Sequence, residues 1–268
     1  MTKPEEFEVF AIKYARHERT SELNFMDPPD IHAGPMPIDY FVWVARSKNR
    51  TFVIDTGFNT DTASQRGREI MRCPVESLKL VGVDPADVKD VIITHLHYDH
   101  VGNFDLFPKC AFHLQDDEMA YATGRYMRHK HFRTPFDVEH VTGMVREVYK
   151  GRVQFHDGDV ELAPGFSLHR IGGHTAGLQA VRVYTKRGWV VLASDASHLY
   201  ANMERENPYP IIFKVGEMLE GYQKLSQLAD SDDHIIPGHD PLVLDFYPAP
   251  SDDLKGIVVR LDVAPDKT

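Results

Sequence analysis

One short segment constrains this chain more than any other part of the sequence. An apolar run, 91–93, is followed by an H-x-H-x-D-H pattern formed by His95, His97, Asp99 and His100. Because the run is typical of a buried strand, alternation along the extended backbone places His95 and His97 on one side. Imidazole and carboxylate groups at this density are ligands of a borderline divalent metal such as zinc. A single tetrahedral ion rarely takes all its ligands from one segment, so two adjacent ions are the natural interpretation.

Further predicted strand ends carry single candidate ligands. His174 lies among glycines that let the backbone approach a ligand closely, Asp195 follows the run 189–193, and His239 follows a short apolar run. The chain contains 15 histidines, so each of these positions alone is explained equally well by chance. The cluster at 95–100 is much harder to explain by chance, because it directly follows its strand.

Composition and charge exclude several classes of protein. Hydrophobic residues make up 42% of the chain and charged residues 26%, which is typical of a soluble globular protein. The formal net charge of −10 argues against a nucleic-acid partner, since such binding relies on a concentrated basic surface. No apolar run approaches the length of a membrane helix, and the polar segment 1–8 lacks the pattern of a secretory signal. The only cysteines, Cys73 and Cys110, lack metal or redox spacing, and we therefore expect reduced thiols and a cytoplasmic protein without a membrane partner.

Alternating apolar patterns predict a mixed α/β chain. The predicted strands are 7–15, 38–46, 51–54, 91–93, 111–114, 153–155, 160–162, 166–171, 179–185 and 189–193, and the predicted helices are 62–81 and 212–228. Between 153–155 and 160–162, the sequence Asp157-Gly158-Asp159 is typical of a hairpin turn, so these two strands are predicted to pair with each other.

Two segments are predicted to border a substrate site. The segment 17–37 must be a loop, because prolines interrupt any regular ladder there: Pro28, Pro29, Pro35 and Pro37. Residues 116–150 mix aromatic, methionine and basic side chains, as the wall of a small-molecule pocket does, although docking of these aromatics on the body explains them as well. We interpret 116–150 as a cover inserted into a single domain, 1–268.

The cluster at 95–100, together with His174, Asp195 and His239, resembles the metallo-β-lactamase superfamily, whose signature is this H-x-H-x-D-H pattern at a strand end. The resemblance covers about residues 7–245 and implies an α/β fold, the metallo-β-lactamase αβ/βα four-layer sandwich. It implies two divalent metal ions, the first on His95, His97 and His174, the second on Asp99, His100 and His239, with Asp195 bridging both. It also implies that Asp55, which precedes Thr56-Gly57, orients the metal histidines. Five imidazoles against two carboxylates favour zinc, and iron, manganese and cobalt remain alternatives.

Within the superfamily, the chain is most similar to the N-acyl-homoserine lactone lactonases and related small lactonases. This resemblance implies opening of a small lactone ring, and hence quorum quenching, by attack of a metal-bound hydroxide. The candidate catalytic residues are Asp99, Asp195 and His198. Related lactonases typically have a tyrosine where this chain has His198, so His198 is predicted to polarise the substrate carbonyl or to protonate the leaving alkoxide. An ordinary loop histidine is the alternative.

Other reactions are compatible with the same ligands. Hydrolysis of a cyclic amide, a thioester or a β-lactam would use the same metal site, and a mononuclear-iron sulfur dioxygenase shares the first motif. Basic residues within 125–133 leave an anionic substrate open. The expected partner is a small-molecule lactone, with no nucleic acid and no membrane, and a homodimer is left open.

Overall fold

The computed structural model describes residues 3–28, 30 and 34–266. Pro29, one of the prolines that predict the loop 17–37, lies outside the described residues, as do residues 1–2 of the polar N-terminal segment. His17 is the last residue of the strand Glu8–His17, and the remaining described part of the loop contains a short 3-10 helix, Ser21–Leu23, and no regular strand.

The described part of the chain contains thirteen strands and eight α-helices. The strands are β1 (Glu8–His17), β2 (Ile38–Arg46), β3 (Thr51–Ile54), β4 (Glu69–Ile70), β5 (Asp90–Ile92), β6 (Ala111–Gln115), β7 (Val153–His156), β8 (Val160–Ala163), β9 (Phe166–Arg170), β10 (Gln179–Thr185), β11 (Gly188–Ser194), β12 (Ile235–Pro237) and β13 (Val258–Arg260). The α-helices are α1 (Thr60–Arg66), α2 (Tyr98–Val101), α3 (Asp116–Ala122), α4 (Lys130–Arg133), α5 (Val138–Tyr149), α6 (Tyr200–Glu204), α7 (Val215–Leu228) and α8 (Leu242–Phe246). In the described ranges, no helix combines the length and the apolar character needed to cross a membrane.

The strands form two sheets. The first has the order β13-β1-β2-β3-β5-β6-β7, with β4 also paired to β1. Within it β3, β5, β6 and β7 run parallel to one another, whereas β1, β2 and β3 pair antiparallel. The second sheet has the order β12-β11-β10-β9-β8, in which only the β11–β12 pair is parallel. In the first sheet, the parallel strands bring their carboxyl ends to one edge.

The two sheets pack face to face, and helices cover both outer faces. Val9 of β1 lies in the core between the sheets, together with Phe166 and other residues of the second sheet. The next residue, Phe10, belongs to the cluster on the opposite face, to which α5 contributes Met144. On the outer face of the second sheet, α7 packs through Leu225. Alternation along the strands therefore produces the helix–sheet–sheet–helix arrangement, and the predicted αβ/βα four-layer sandwich is confirmed.

The predicted helix 62–81 is wrong beyond residue 66. Helix α1 ends at Arg66 because Gly67 adopts a left-handed backbone, with φ of 62°, and its N–H closes onto the carbonyls of Ala63 and Ser64. The short strand β4 follows, and a 3-10 helix, Glu76–Val81, completes the segment. This early end of α1 brings Arg68 to within 3.1 Å of the Tyr98 hydroxyl, beside the metal-ligand segment.

The predicted hairpin around 157–159 is also wrong. The turn itself is present, since Gly158 has φ of 93° and its backbone hydrogen-bonds with the Gln115 side chain. The chain nevertheless passes from one sheet to the other there, because β7 pairs with β6 and β8 pairs with β9. Turn chemistry fixed the local bend, whereas tertiary packing decided the partner of each strand.

Candidate metal centre

Several strand ends meet at one edge of the sandwich. In the first sheet, Asp55 directly follows β3, and His95 lies shortly after β5. In the second sheet, His174 lies in the loop after β9, Asp195 directly follows β11, and His239 follows β12. The fold therefore brings together the candidate ligands that the sequence predicted at separate strand ends.

The backbone is strained at two of these strand ends. Among the described non-glycine residues, Asp55 (φ 60°) and Ser194 (φ 48°) adopt left-handed backbones at the ends of β3 and β11. Such conformations cost of order 1–3 kcal/mol each and tend to occur at functional sites. Their side chains both contact the Thr94 hydroxyl, at 2.9 Å. The two strained strand ends are therefore joined through one residue beside His95.

Asp195 lies at the centre of the cluster. Its Oδ2 is 3.1 Å from His174 Nε2 and 3.7 Å from His95 Nε2. Its Oδ1 is 3.0 Å from His239 Nε2 and 3.3 Å from His100 Nε2. Each carboxylate oxygen therefore faces a different pair of histidines. Burial would raise the pKa of Asp195, but the surrounding imidazoles, with His198 and His239 foremost, hold it well below its usual value.

Among the described residues, three sets of candidate ligands have ligand atoms that lie within 4.8 Å of one another. They are His95, His97, His174 and Asp195; Asp99, His100 and His239; and Asp195, His198 and His239. All of these side chains are buried, and Asp99 is the most exposed, at 9%. The first two sets correspond to the two-ion division implied by the resemblance, and the third brings His198 close to Asp195 and His239.

The donor atoms fit a pair of cations. In the described part of the chain, the Nε2 atoms of His95 and His100 are buried without a hydrogen-bond partner. A buried polar nitrogen left unpaired costs about 1–3 kcal/mol, which coordination of a cation by its lone pair would offset. Nitrogen donors with a few carboxylate oxygens suit zinc and similar divalent ions. The residues present therefore fit two divalent ions.

A network behind the first sheet orients His100. The Nδ1 atom of His100 lies 2.7 Å from Asp55 Oδ2, and Thr94 donates to Asp55 through its N–H at 2.8 Å and its hydroxyl at 2.9 Å. Burial raises the pKa of Asp55, against the opposing effect of His100. For His100 itself, burial is outweighed by the carboxylates of Asp195, Asp55 and Asp99, which raise its pKa well above the usual value. This geometry leaves His100 Nε2 directed at the cluster, in agreement with the orienting role predicted for Asp55.

Glu118 ties two ligand segments together, a role that sequence reasoning missed. Its buried carboxylate accepts the N–H of Leu96 at 2.9 Å and that of Gly177 at 3.0 Å. Leu96 belongs to the segment 95–100, and Gly177 belongs to the loop that carries His174. A Cβ at Gly177 would lie 2.3 Å from the Glu118 nitrogen, so this close approach requires glycine. No motif marks Glu118; the sequence signal is an acidic residue in the first turn of α3, directly after β6.

The remaining ligands are oriented by backbone and by one another. The Nδ1 atom of His239 lies 2.9 Å from the carbonyl oxygen of Asp39, whose carboxylate pairs with Lys13 at 2.8 Å. His97 Nδ1 lies 2.9 Å from His174 Nε2. Burial lowers the pKa of His97 and of His95 well below the usual value, which keeps both imidazoles neutral, as metal ligation requires.

His198 lies against the bridging carboxylate. Its Nε2 is 3.0 Å from Asp195 Oδ2, and its ring stacks on Tyr209 with centroids 3.8 Å apart and planes inclined by 6°. Burial lowers the pKa of His198 to about 3, against the raising effect of Asp195. The role predicted for His198 stays a prediction, and its ring is buried with one nitrogen beside the cluster. The stacked Tyr209 ring fixes the plane of His198.

A cavity of about 110 Å³ opens over the cluster. His97, Asp99, His174, Asp195, His198 and His239 lie on its inner wall. Arg19, from the predicted loop 17–37, and Thr134, from the predicted cover 116–150, lie on its outer wall. Arg66 and Arg68 line it as well, and sequence reasoning missed all three arginines because none lies in a motif.

The chain is similar to several known proteins. The family model of the metallo-beta-lactamase superfamily matches residues 37–249. An N-acyl homoserine lactonase from Bacillus sp is 31% identical over 138 residues, 50% of this chain and 49% of that relative, so the chain matches about half of its length. N-acyl homoserine lactonase AttM from Azorhizobium caulinodans is 28% identical over 228 residues, 77% of this chain and 82% of the relative.

Solved structures extend the comparison to nearly the whole chain. A quorum-quenching N-acyl homoserine lactone lactonase superposes with a TM-score of 0.73 at 22% sequence identity, covering 90% of this chain and 94% of that one. At this identity, the likeness shows the fold alone. Together with the family match, it confirms the predicted resemblance: the chain belongs to the metallo-beta-lactamase superfamily.

Proposed function

We propose that this protein is a dinuclear metal-dependent hydrolase that opens the ring of a small lactone. The observation that carries the proposal is the position of Asp195, whose two oxygens each face a separate pair of histidine nitrogens at 3.0–3.7 Å. N-acyl homoserine lactonases among the relatives support a lactone as the substrate class and quorum quenching as the biological role.

In this proposal His95, His97 and His174 would hold one ion, Asp99, His100 and His239 would hold the other, and the Asp195 carboxylate would serve both. When bound, the ions would supply a hydroxide nucleophile near neutral pH and would polarise the substrate carbonyl. We propose zinc, because the set contains more imidazoles than carboxylates.

Two side chains of the protein are assigned to proton transfer and to stabilisation of the carbonyl oxygen. Asp99 lies on the cavity wall, with its Oδ2 3.7 Å from His100 Nε2 and 3.8 Å from His239 Nε2. We assign to its carboxylate the transfer of a proton from the attacking water to the leaving alkoxide, because it borders both the ligand cluster and the substrate space. His198 lines the same cavity with its Nε2 3.0 Å from Asp195 Oδ2, and we assign to its N–H a hydrogen bond to the carbonyl oxygen once that carboxylate holds the ions. The stacked Tyr209 keeps this donor oriented.

Three broader features belong to the same proposal. A single domain is supported by the core that the two sheets share. A cytoplasmic location is supported by the two cysteines, both free. The homodimer stays a prediction.

The test combines metal analysis and a hydrolysis screen on one preparation. Elemental analysis should find about two divalent ions per chain, and a pH-indicator assay should detect acid release from homoserine or aromatic lactones. Acid release only from a cyclic amide, a thioester or a β-lactam would replace the substrate class and keep the metal centre. One iron per chain, oxygen uptake with sulfur substrates and no hydrolysis would overturn the proposal in favour of a sulfur dioxygenase.

A further inference from the structure

The outer wall of the cavity is positively charged. Arg19, Arg66 and Arg68 line it together with Tyr98 and Tyr209, while the candidate metal ligands form its inner wall. The protein as a whole carries a net charge of −10, so a group of cations at this one place is a local feature of the site. The cavity volume of about 110 Å³ brings any bound molecule close to both walls.

Neutral acceptors hold two of these arginines. Arg66 donates to the carbonyl oxygens of Thr134 at 2.9 Å and Phe136 at 3.0 Å, and its guanidinium lies over the Tyr98 ring, 4.0 Å from the centroid. Arg68 donates to the Tyr98 hydroxyl at 3.1 Å and to the Arg66 carbonyl oxygen at 2.5 Å. These contacts fix the orientation of both guanidinium groups without neutralising their charge.

Arg19 follows the same pattern from the other side of the cavity. It donates to Asn24 Oδ1 at 2.7 Å and to the Leu23 carbonyl oxygen, and it lies 5.1 Å from the centroid of the Tyr209 ring, which stacks on His198. Within the ranges that the structure describes, no carboxylate forms an ion pair with Arg19, Arg66 or Arg68. The positive charge of these arginines affects a neighbouring side chain: burial, together with Arg68 and Arg19, lowers the pKa of His17 to about 4.

An anionic ligand would supply the negative charge that these three arginines do not find in an ion pair. Like charges placed together repel each other, and the guanidinium fork matches the two oxygens of a carboxylate. Two divalent ions would add four positive charges to the inner wall, against the carboxylates of Asp99 and Asp195, which increases the attraction for an anion. The basic stretch 125–133, which suggested an anionic substrate from the sequence, is not the source: none of its described residues lines the cavity.

We propose that Arg68, with Arg66 and Arg19, forms an anion-binding subsite, and that the substrate is a small lactone that carries a carboxylate beside its ring. This inference rests on the proposed lactone hydrolysis and narrows its substrate class. On this inference a lactone with a carboxylate is preferred to an uncharged N-acyl homoserine lactone, so the inference revises the quorum-quenching role proposed above. Arg68 is the central residue, because its contact with Tyr98 places it one residue from Asp99.

The test compares two lactones of the same shape and different charge. A γ-butyrolactone with a ring carboxylate and its carboxamide analogue are hydrolysed by the metal-loaded protein, and kcat/KM is measured for each. We expect the carboxylate to be preferred by about tenfold or more, as for a charge-assisted hydrogen bond. Arg68→Gln should abolish the preference, chiefly by raising KM for the carboxylate.

Control variants separate the subsite from general effects. Arg68→Lys should keep part of the preference, and Arg19→Gln provides a second removal of charge if Arg68→Gln does not fold. Arg125→Gln, at an exposed position away from the cavity, should behave as the unaltered protein. Equal kcat/KM for both lactones, or an unchanged preference in both Arg68→Gln and Arg19→Gln, would overturn the subsite and leave lactone hydrolysis standing.

A binding experiment decides the inference even if neither lactone is opened. Calorimetric titration of the metal-loaded protein with glutarate and with its half-amide, glutaramate, compares ligands that differ by one charge. Binding of glutarate about tenfold tighter, lost in Arg68→Gln, would support the anion subsite while the lactonase proposal fails. Equal binding of the two would overturn the subsite.

Discussion

The two halves of the candidate metal centre are built in different ways. The half that faces the first sheet comes from one continuous segment, 95–100, which supplies four candidate ligands after a single strand. The half that faces the second sheet takes one residue from each of three places, His174, Asp195 and His239. One half of the site is therefore a local sequence motif, whereas the residues of the other half come together only when the chain folds.

The supports of the two halves differ in the same way. Asp55 and Thr94 hold the continuous segment from directly behind it, through contacts of 2.7–2.9 Å. The dispersed half depends on longer-range supports, Glu118 for the loop of His174 and the Asp39 carbonyl for His239. The first half is therefore held almost entirely by residues close to it, whereas the positions of the ligands in the second half depend on how the two sheets pack together.

The largest effect is expected at the residue that joins the halves. Asp195→Asn replaces one carboxylate oxygen by an amide that cannot bridge two cations, so the second ion should be lost and turnover should fall by at least about 100-fold. Metal content and lactone hydrolysis measure this on the same preparation. Asp105→Asn, an exposed residue, is the matched control. Full activity with two ions bound in Asp195→Asn would refute the bridging assignment.

Glu118→Gln tests how strongly the two halves depend on each other, because Glu118 links them. The amide can accept from only one of the two N–H groups, Leu96 or Gly177, so the loop of His174 should loosen. We expect metal affinity to fall by about 10–100-fold, as for other groups that orient ligands. Competition with a chelator measures the affinity, and the exposed Glu139→Gln serves as control. An affinity equal to that of the control would show that the link is dispensable.

Asp55→Asn weakens the first half alone and should have a smaller effect than Glu118→Gln. The amide still accepts from the Thr94 N–H, but its contact with His100 Nδ1 is weakened, so the affinity for one ion should fall by about tenfold. A metal titration followed calorimetrically should show one site weakened and the other unchanged. Equal weakening of both sites would contradict the assignment of His100 to one ion alone.

The smallest effect on the metal centre is expected from His198→Ala. His198 is assigned to the substrate rather than to the ions, so two ions should stay bound while kcat falls by about tenfold, the loss of one hydrogen bond in the transition state. His129→Ala, at an exposed position, is the control. Loss of an ion in His198→Ala would instead make this histidine a ligand, in line with its place near Asp195 and His239.

The sequence allowed prediction of the features that are local or carried by a motif. The segment 95–100 could be interpreted directly, and the ends of β9, β11 and β12 followed from the resemblance. The strands at 7–15 and 38–46 were also predicted from their local pattern, and they correspond to β1 and β2. These are features that neighbouring residues determine.

The features that could not be predicted depend on partners distant in the chain. Glu118 acquires its role from Leu96 and Gly177, and Arg68 acquires its role from Tyr98 and from an early helix end at Gly67. The turn at Gly158 was recognised, but the partners of the strands beside it were not. Such contacts have no periodicity and no motif, because the packing of separate elements creates them.

The most direct measurement of the central claim is a zinc titration of the metal-free protein followed by lactone hydrolysis. The account predicts no hydrolysis without metal and a rise in rate that reaches its plateau at two equivalents of zinc per chain, because both sets of ligands around Asp195 must be filled. A plateau at one equivalent, or equal hydrolysis by the metal-free protein, would contradict it.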